Sequence, residues 1–140
     1  MELDDSLMAN FNDASTDLNL TDQEKYLYQT HLNNLWGPGG VDNDNGSRST
    51  LYASVEPRGG SYHIIPTVWN GKIETEEWTR PSDGKVFNIP NSTALSNVDK
   101  IGWDKFPSFS DPQAAEDRYL KMHDYLEKDT ATYMSLKNWE

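Results

Sequence analysis

The sequence has no cysteine among its 140 residues. Disulfide bonds, thiolate metal sites and thiol chemistry are therefore excluded. Basic residues are also scarce, because 12 Lys and Arg stand against 23 Asp and Glu and leave a formal net charge of −11. Nucleic acids and anionic membranes are bound through basic surfaces, so we expect neither of them as a partner.

Long apolar runs are missing as well. No stretch approaches the roughly 20 apolar residues of a transmembrane helix. The first residues, MELDDSLMANF, are acidic where a secretory leader would be basic. We therefore expect the protein to act where it is synthesised unless a larger assembly carries it.

What the chain does contain is enough for one modest hydrophobic core. A length of 140 residues is that of a single domain. Five tryptophans and seven tyrosines exclude a wholly disordered chain. The composition thus predicts one folded unit with long irregular connections, and we place that domain at residues 21–140.

Residues 1–20 differ from the rest because they contain no Lys or Arg. Their acidic side chains give a local charge of −5, and their apolar residues are too sparse to form a core alone. The segment is typical of a solvated tail or of an arm that becomes ordered on a neighbouring chain. We favour an extended acidic N-terminal arm, with Leu7, Met8 and Phe11 as its anchors.

Three segments carry helix signals. Thr21 and Glu24 form a capping box that predicts a helix beginning after residue 21. Its apolar stripe includes His31, which we interpret as a packed residue rather than a ligand or a base. A second helix is predicted over residues 91–101 with Asn91 or Ser92 as its cap. Ser110 is predicted to cap the last helix, followed by an early-turn proline.

Residues 49–78 carry β signals. The run YHIIPTVWNG has alternating β-branched and aromatic residues that predict a strand, although Pro66 requires an edge position or a bulge. Asn70-Gly71 predicts a type I′ hairpin turn, because both residues tolerate a positive φ. Apolar groups on both faces of this strand indicate that more than one side is covered. The predicted fold is α+β, with a small antiparallel sheet of three to four strands packed by two or three helices.

The segment VDNDNGS suggests a calcium loop but has the wrong spacing. An EF-hand needs its glycine at about position 6 and a glutamate at about position 12 of the loop. Placing Gly46 at the glycine position puts Val41 first and Tyr52 last, and neither supplies a carboxylate. We predict a polar turn stabilised by its own side chains. No cofactor or metal is expected.

The motifs from residue 37 to residue 128, about two-thirds of the chain, resemble a small module of tailed-bacteriophage virion proteins of the podovirus type. The shared pattern comprises Gly46, Ser47, Ser49 and Thr50, then Ile65, Pro66, Thr67, Val68 and Gly71, then Phe106, Pro107, Ser108 and Phe109, and finally Ala115, Glu116 and His123. Such modules occur inside large virion proteins, some with lytic transglycosylase domains, and as small free-standing proteins. The segment of residues 74–90, which connects a strand to a helix, is longer here than the corresponding connection in the module.

The resemblance implies a non-enzymatic structural protein of a short-tailed phage virion, made in the host bacterial cytoplasm. Its position would be the tail, neck or portal region, or an internal ejection apparatus. Its partners would be portal, adaptor or tail proteins, with several copies in a ring. The side chains that we expect at the partner interface are Leu7, Met8, Phe11, Trp69, Trp78 and Trp103.

Two alternatives come from other functional classes. A peptidoglycan-acting accessory enzyme could use two of Glu74, Glu76, Glu77 and Asp83 as a carboxylate pair beside Trp69 and Trp78. Alternating glutamates on a polar edge, however, are also a common protection against unwanted strand pairing. The second alternative is a small cytoplasmic phage regulator or host-takeover protein, which would be absent from purified particles.

Overall fold

The computed structural model describes residues 5–137, with side chains from Met8 to Leu136. Its helices are α1 (Asp5–Asp17), α2 (Asp22–Trp36), α3 (Ser92–Ile101) and α4 (Pro112–Lys137), with a 3-10 turn at Trp103–Lys105. Its strands are β1 (Val41–Asp42), β2 (Arg48–Ser49), β3 (Ser54–Arg58), β4 (Ser61–Ile65), β5 (Val68–Trp69), β6 (Lys72–Ile73), β7 (Thr75–Thr79), β8 (Val86–Pro90) and β9 (Ser108–Phe109). The predicted α+β class is confirmed.

All strand pairs of the described chain are antiparallel. The central sheet has the order β3-β4-β9, so that β4 lies in the middle and β3 forms one edge. Three separate two-stranded ribbons pair β1 with β2, β5 with β6 and β7 with β8. Helix α4 packs on the central sheet, and α1 and α2 pack on α4. The fold is therefore a small sheet covered by helices, from which the β7–β8 hairpin extends.

The core lies between the central sheet and the helices. Its largest fully buried apolar side chains include Tyr28, Phe106, Leu27, Ile64, Ile65 and Met122. Consecutive residues of a strand point to opposite faces. Ile64 and Ile65 are both completely buried, which places packed groups on both faces of β4 as the sequence predicts.

The helix caps follow the sequence signals with one exception. Thr21 and Glu24 form the predicted capping box, and the Asn91 side chain accepts from the backbone N–H of Ala94 at 3.0 Å. At α4 the cap is Asp111, whose carboxylate accepts from the backbone N–H of Ala114, and not Ser110 as predicted. Pro112 determines where α4 begins, because proline is favoured at the first position of a helix, where no backbone N–H is needed.

The predicted strand of residues 62–71 is divided in two. Strand β4 ends at Ile65, and Pro66 and Thr67 separate it from β5. The backbone then turns at Asn70 and Gly71, with φ of 52° and 79°, and returns as β6. Both positive φ values agree with the predicted type I′ hairpin. The proline therefore marks the end of one ladder and the start of another.

The extended N-terminal arm is the part of the predicted fold that the structure corrects. Residues Asp5–Asp17 form a helix, and Ala14 on its inner face is completely buried. The Phe11 ring packs edge-on against Tyr28, with ring centroids 5.1 Å apart. Few apolar residues suffice here because α1 does not form a core alone but completes the one built by α2 and α4.

Candidate functional site

An apolar cleft of the described surface lies between the β7–β8 hairpin, the edge of the central sheet and the first half of α4. Its volume is about 530 Å³. The residues that line it are Ala53, Ser54, Val55, Ile64, Trp78, Arg80, Phe87, Asn88, Ile89, Glu116, Tyr119 and Leu120. Large apolar side chains exposed around a concavity are typical of surfaces that bind other molecules.

The hairpin forms one wall of this cleft. Trp78 of β7 lies directly across from Phe87 of β8, and their ring centroids are 6.2 Å apart. The Arg80 guanidinium lies 5.1 Å from the centre of the Phe87 ring and also pairs with Asp83 in the turn. That pair lowers the pKa of Asp83 through the hydrogen bond from Arg80. Trp78 and Phe87 thus both line the cleft, beside an ion pair in the turn of the hairpin.

The opposite wall comes from the sheet and α4. Val55 and Ile64 lie opposite each other on β3 and β4. Tyr119 of α4 also packs on the core and lines the cleft, and burial raises the pKa of its hydroxyl to about 12, so that it stays neutral. Leu120 is the most open part of the wall, with 63% of its surface exposed. Most of this apolar side chain is therefore left uncovered by the described chain.

Among the predicted partner-binding residues, Trp78 is the one that the structure places in the cleft, and 44% of its surface is exposed. Trp69 packs on the core, and its indole N–H donates to the carbonyl of Pro66 at 3.0 Å. Trp103 packs edge-on against His63, with centroids 5.4 Å apart, and donates to Asp99. Both are therefore held mainly by contacts within the chain.

The three anchors predicted in the N-terminal segment do not form one surface in the described structure. The side chain of Leu7 lies outside the described residues. Phe11 packs on the core, while Met8 is 39% exposed. Both line a hollow of about 200 Å³ between α1 and α2, with Gln29, Leu32 and Asn33. This hollow is smaller than the cleft and is separate from it.

Sequence reasoning missed a buried polar network that joins three helices to the loop before β3. Asp129 Oδ2 accepts from the Tyr28 hydroxyl at 2.6 Å and lies 3.3 Å from His31 Nε2. His31 Nδ1 lies 2.5 Å from Thr50 Oγ1, and the Asn10 amide donates to Asp129 Oδ1 at 2.9 Å. Burial, together with the hydrogen bond and charge of Asp129, raises the pKa of Tyr28. The phenol therefore stays a donor.

A hydroxyl, an imidazole and a carboxylate in this order also occur in hydrolases. Here, however, Thr50 is only 7% exposed, and the carboxylate is shared between Tyr28, His31 and Asn10. Each of these groups supplies a hydrogen-bond partner to another buried polar group, which would destabilise the fold if it were left unpaired. We interpret the network as the polar centre of the core, which agrees with the prediction that His31 is a packed residue.

The loop of residues 42–49 is organised by its own side chains. The Asn43 amide donates to Ser47 and Ser49, and Asn45 accepts from the backbone of Ser47. The Arg48 guanidinium binds Asp42 at 2.7 Å. This is the predicted polar turn. Within the described part of the chain, no group of three or more His, Cys, Asp or Glu side chains could hold a metal ion.

Comparison with protein-family models, with curated proteins and with solved structures found no match for this chain. Across residues 5–137, no helix has both the length and the apolar character needed to cross a bilayer.

Proposed function

We propose that this protein is a non-enzymatic structural component of a short-tailed phage virion, and that it docks on a neighbouring virion protein through the hairpin cleft. Its place would be the tail, neck or portal region, or the internal ejection apparatus. The observation that carries the docking role is the pair of exposed side chains, Trp78 and Leu120, on opposite walls of one apolar cleft. Tryptophan is among the residues that contribute most to protein interfaces.

The virion assignment is supported by the motifs that resemble the phage module. Two of them meet at the central sheet. Ile65 ends β4, and Phe109 of the Phe-Pro-Ser-Phe motif pairs with Tyr62 through β9. Phe106 of the same motif is buried in the core. These three resembling residues thus belong to the sheet and core beside the cleft, and the β7–β8 hairpin lies in the segment that is longer in this chain.

The enzymatic alternative is not favoured by the acidic strand. Glu76 and Glu77 are consecutive in β7, so their side chains point to opposite faces of the hairpin. A glycosidase needs two carboxyl groups facing one substrate, with one of them in an apolar environment. Glu77 and Glu76 are both exposed instead.

The test is incorporation into particles. Leu120→Asp places a charge in the cleft, and Leu136→Asp makes the same change at an exposed site near the other end of α4. We expect the wild type and Leu136→Asp in extensively purified virions by quantitative mass spectrometry. Leu120→Asp should be depleted at least about tenfold, as for loss of a central interface residue. Equal incorporation of all three would overturn docking through the cleft.

Absence of the wild-type protein from purified virions would overturn the virion assignment itself and favour the cytoplasmic regulator. The folding of each variant is checked by its melting temperature. Because both leucines are exposed, neither change should lower the melting temperature by more than a few degrees.

A further inference from the structure

The edge of the central sheet that borders the cleft is unpaired in the described chain. Strand β3 pairs with β4 on one side, and its other side has no strand neighbour among the described elements. Ala53, Ser54 and Val55 of this edge line the cleft, and Asn88 and Ile89 of β8 line it from the hairpin. The cleft thus combines a sheet edge with an apolar wall.

The hydrogen-bond pattern shows which backbone groups of β3 point into the open side. The Ile64 N–H donates to the carbonyl of Pro107 at 3.0 Å, away from β3. Val55, which lies opposite Ile64, is therefore in a non-hydrogen-bonded pair of the β3–β4 ladder. Its own N–H and C=O point outwards, and no described residue bonds to either of them.

The position of Pro57 agrees with this alternation of inward and outward backbone groups along β3. It lies two residues after Val55, opposite Tyr62, so its nitrogen also faces the open side. A proline is tolerated in a strand where no ladder hydrogen bond is needed. Because proline has no N–H, residue 57 cannot donate a hydrogen bond to an added strand. The outward-pointing donor within β3 is therefore the N–H of Val55. An added strand would bind through the Val55 N–H and C=O as a matched pair.

The charge of the chain indicates the chemistry of the added segment. The protein carries a formal net charge of −11. Of the charged residues that line the cleft, Arg80 is already paired with Asp83, whereas Glu116 is exposed on α4. A segment with basic side chains facing solvent and apolar side chains facing Tyr119 would complement both features.

We propose that the occupant of the cleft is an extended, basic segment of a partner protein, which adds as a strand to the β3 edge and inserts a large apolar side chain between Trp78 and Leu120. This mode of binding uses main-chain hydrogen bonds for affinity and side-chain pockets for specificity. The inference rests on the proposed docking function and specifies the form that the partner takes. It also explains why the exposed aromatic hairpin stands beside an unpaired edge.

The probe is a short synthetic peptide in which lysine alternates with valine and a central valine is replaced by tryptophan. Its matched control has glutamate at every lysine position. Binding to the full chain is followed by anisotropy of a label on the peptide at low salt. We expect the lysine peptide to bind and the glutamate peptide not to bind. Failure of the lysine peptide to bind at millimolar concentration would overturn the inference.

Backbone N-methylation of the peptide distinguishes strand addition from side-chain docking. One variant is methylated at one alternate set of residues and the other at the complementary set. A strand on the β3 edge presents only one set to Val55, so methylation of that set should abolish binding and methylation of the other should not. Equal affinities for both variants would overturn strand addition.

A protein variant tests the same hydrogen bond from the other side. Val55→Pro removes the outward-pointing N–H of β3. Proline is already present at position 57, whose nitrogen points to the same side, and Val55→Ala is the control for the loss of the valine side chain. We expect Val55→Pro to bind the peptide about fivefold more weakly than Val55→Ala, as for one net hydrogen bond. In nuclear magnetic resonance of the wild type, the Val55 amide should gain protection from hydrogen exchange when the peptide binds.

The experiments separate this inference from the proposed function. If Leu120→Asp is depleted from virions while the peptide tests fail, docking through the cleft stands and strand addition is wrong. If the wild type forms a dimer in sedimentation that Val55→Pro dissociates, the occupant is a second copy of this chain, and the basic partner segment is overturned. We expect a monomer.

Discussion

Arg118 and Glu24 join α4 to the first turn of α2 through two hydrogen bonds. Arg118 Nε lies 2.6 Å from Glu24 Oε2, and Nη2 lies 3.0 Å from Oε1. Arg118 Nη2 also donates to the carbonyl of Leu18, just after α1. One guanidinium therefore connects α4 with α2 and with the residue that follows α1, and Glu24 serves both this pair and the capping box of α2.

This pair predicts how stability depends on pH. Burial raises the pKa of Glu24, but the hydrogen bonds from Arg118 and Thr21 and the charge of Arg118 outweigh it, so the pKa lies below the usual 4.5. A lowered pKa stabilises the fold above pH 4.5, and this contribution is lost as the pH falls through the folded-state value. We expect the melting temperature of Glu24→Gln to fall less steeply below pH 4.5 than that of the wild type.

The matched control is Glu116→Gln, which removes the same charge from an exposed position of α4. It should keep the wild-type pH dependence. At neutral pH, Glu24→Gln should lower the free energy of unfolding by about 2 kcal/mol, because a charged hydrogen bond is lost beside Arg118. An acid-melting curve of Glu24→Gln that is parallel to the wild type would contradict the role of this pair.

The second prediction concerns the buried network. Asp129→Ala leaves the Tyr28 hydroxyl and the Asn10 amide without their carboxylate partner in the core. An unsatisfied buried donor costs about 1–3 kcal/mol, so we expect a loss of about 3 kcal/mol in the free energy of unfolding. Urea denaturation measures it, with Asp124→Ala, exposed on the same helix, as the control. A loss below that of the control would show that the network is not important for folding.

Local signals explain why much of the fold could be predicted. The capping box at Thr21, the cap at Asn91 and the turn at Asn70-Gly71 each depend on side chains within a few residues, and all three are present. The wrong cap prediction at Ser110 also has a local cause, because Asp111 is an equally good capping residue one position later. Trp78, which was predicted as a partner-binding residue, lies in the exposed part of β7 and lines the cleft.

The parts that could not be predicted depend on residues distant in sequence. Helix α1 has many residues with low intrinsic helix propensity, and packing on α2 and α4 stabilises it instead. Asn10 contacts Asp129 across a separation of 119 residues. The cleft likewise requires the hairpin, the sheet edge and α4 to meet. Hydrophobic periodicity and short motifs in a single sequence do not show which distant segments come into contact.

The third prediction follows from the helical N-terminal segment. Phe11→Ala should lower the free energy of unfolding by roughly 2 kcal/mol, because a half-buried ring that packs on Tyr28 is lost. The control Asn12→Ala changes the next, exposed residue of the helix and should stay within about 0.5 kcal/mol of the wild type. Equal stability of both variants would show that this segment is an arm without a role in the core.

The last prediction tests the absence of enzymatic activity. Replacing Glu74, Glu76 and Glu77 together by alanine keeps the backbone bonds of residue 74, since its N–H donates to Thr67 and its C=O accepts from Asn91. We expect each change to alter stability by no more than about 0.5 kcal/mol, because surface substitutions seldom exceed this value. In a zymogram on peptidoglycan, neither the wild type nor the triple variant should clear the gel. A cleared band for the wild type that disappears in a folded triple variant would instead identify a peptidoglycan-acting enzyme, and the structural assignment would then be wrong.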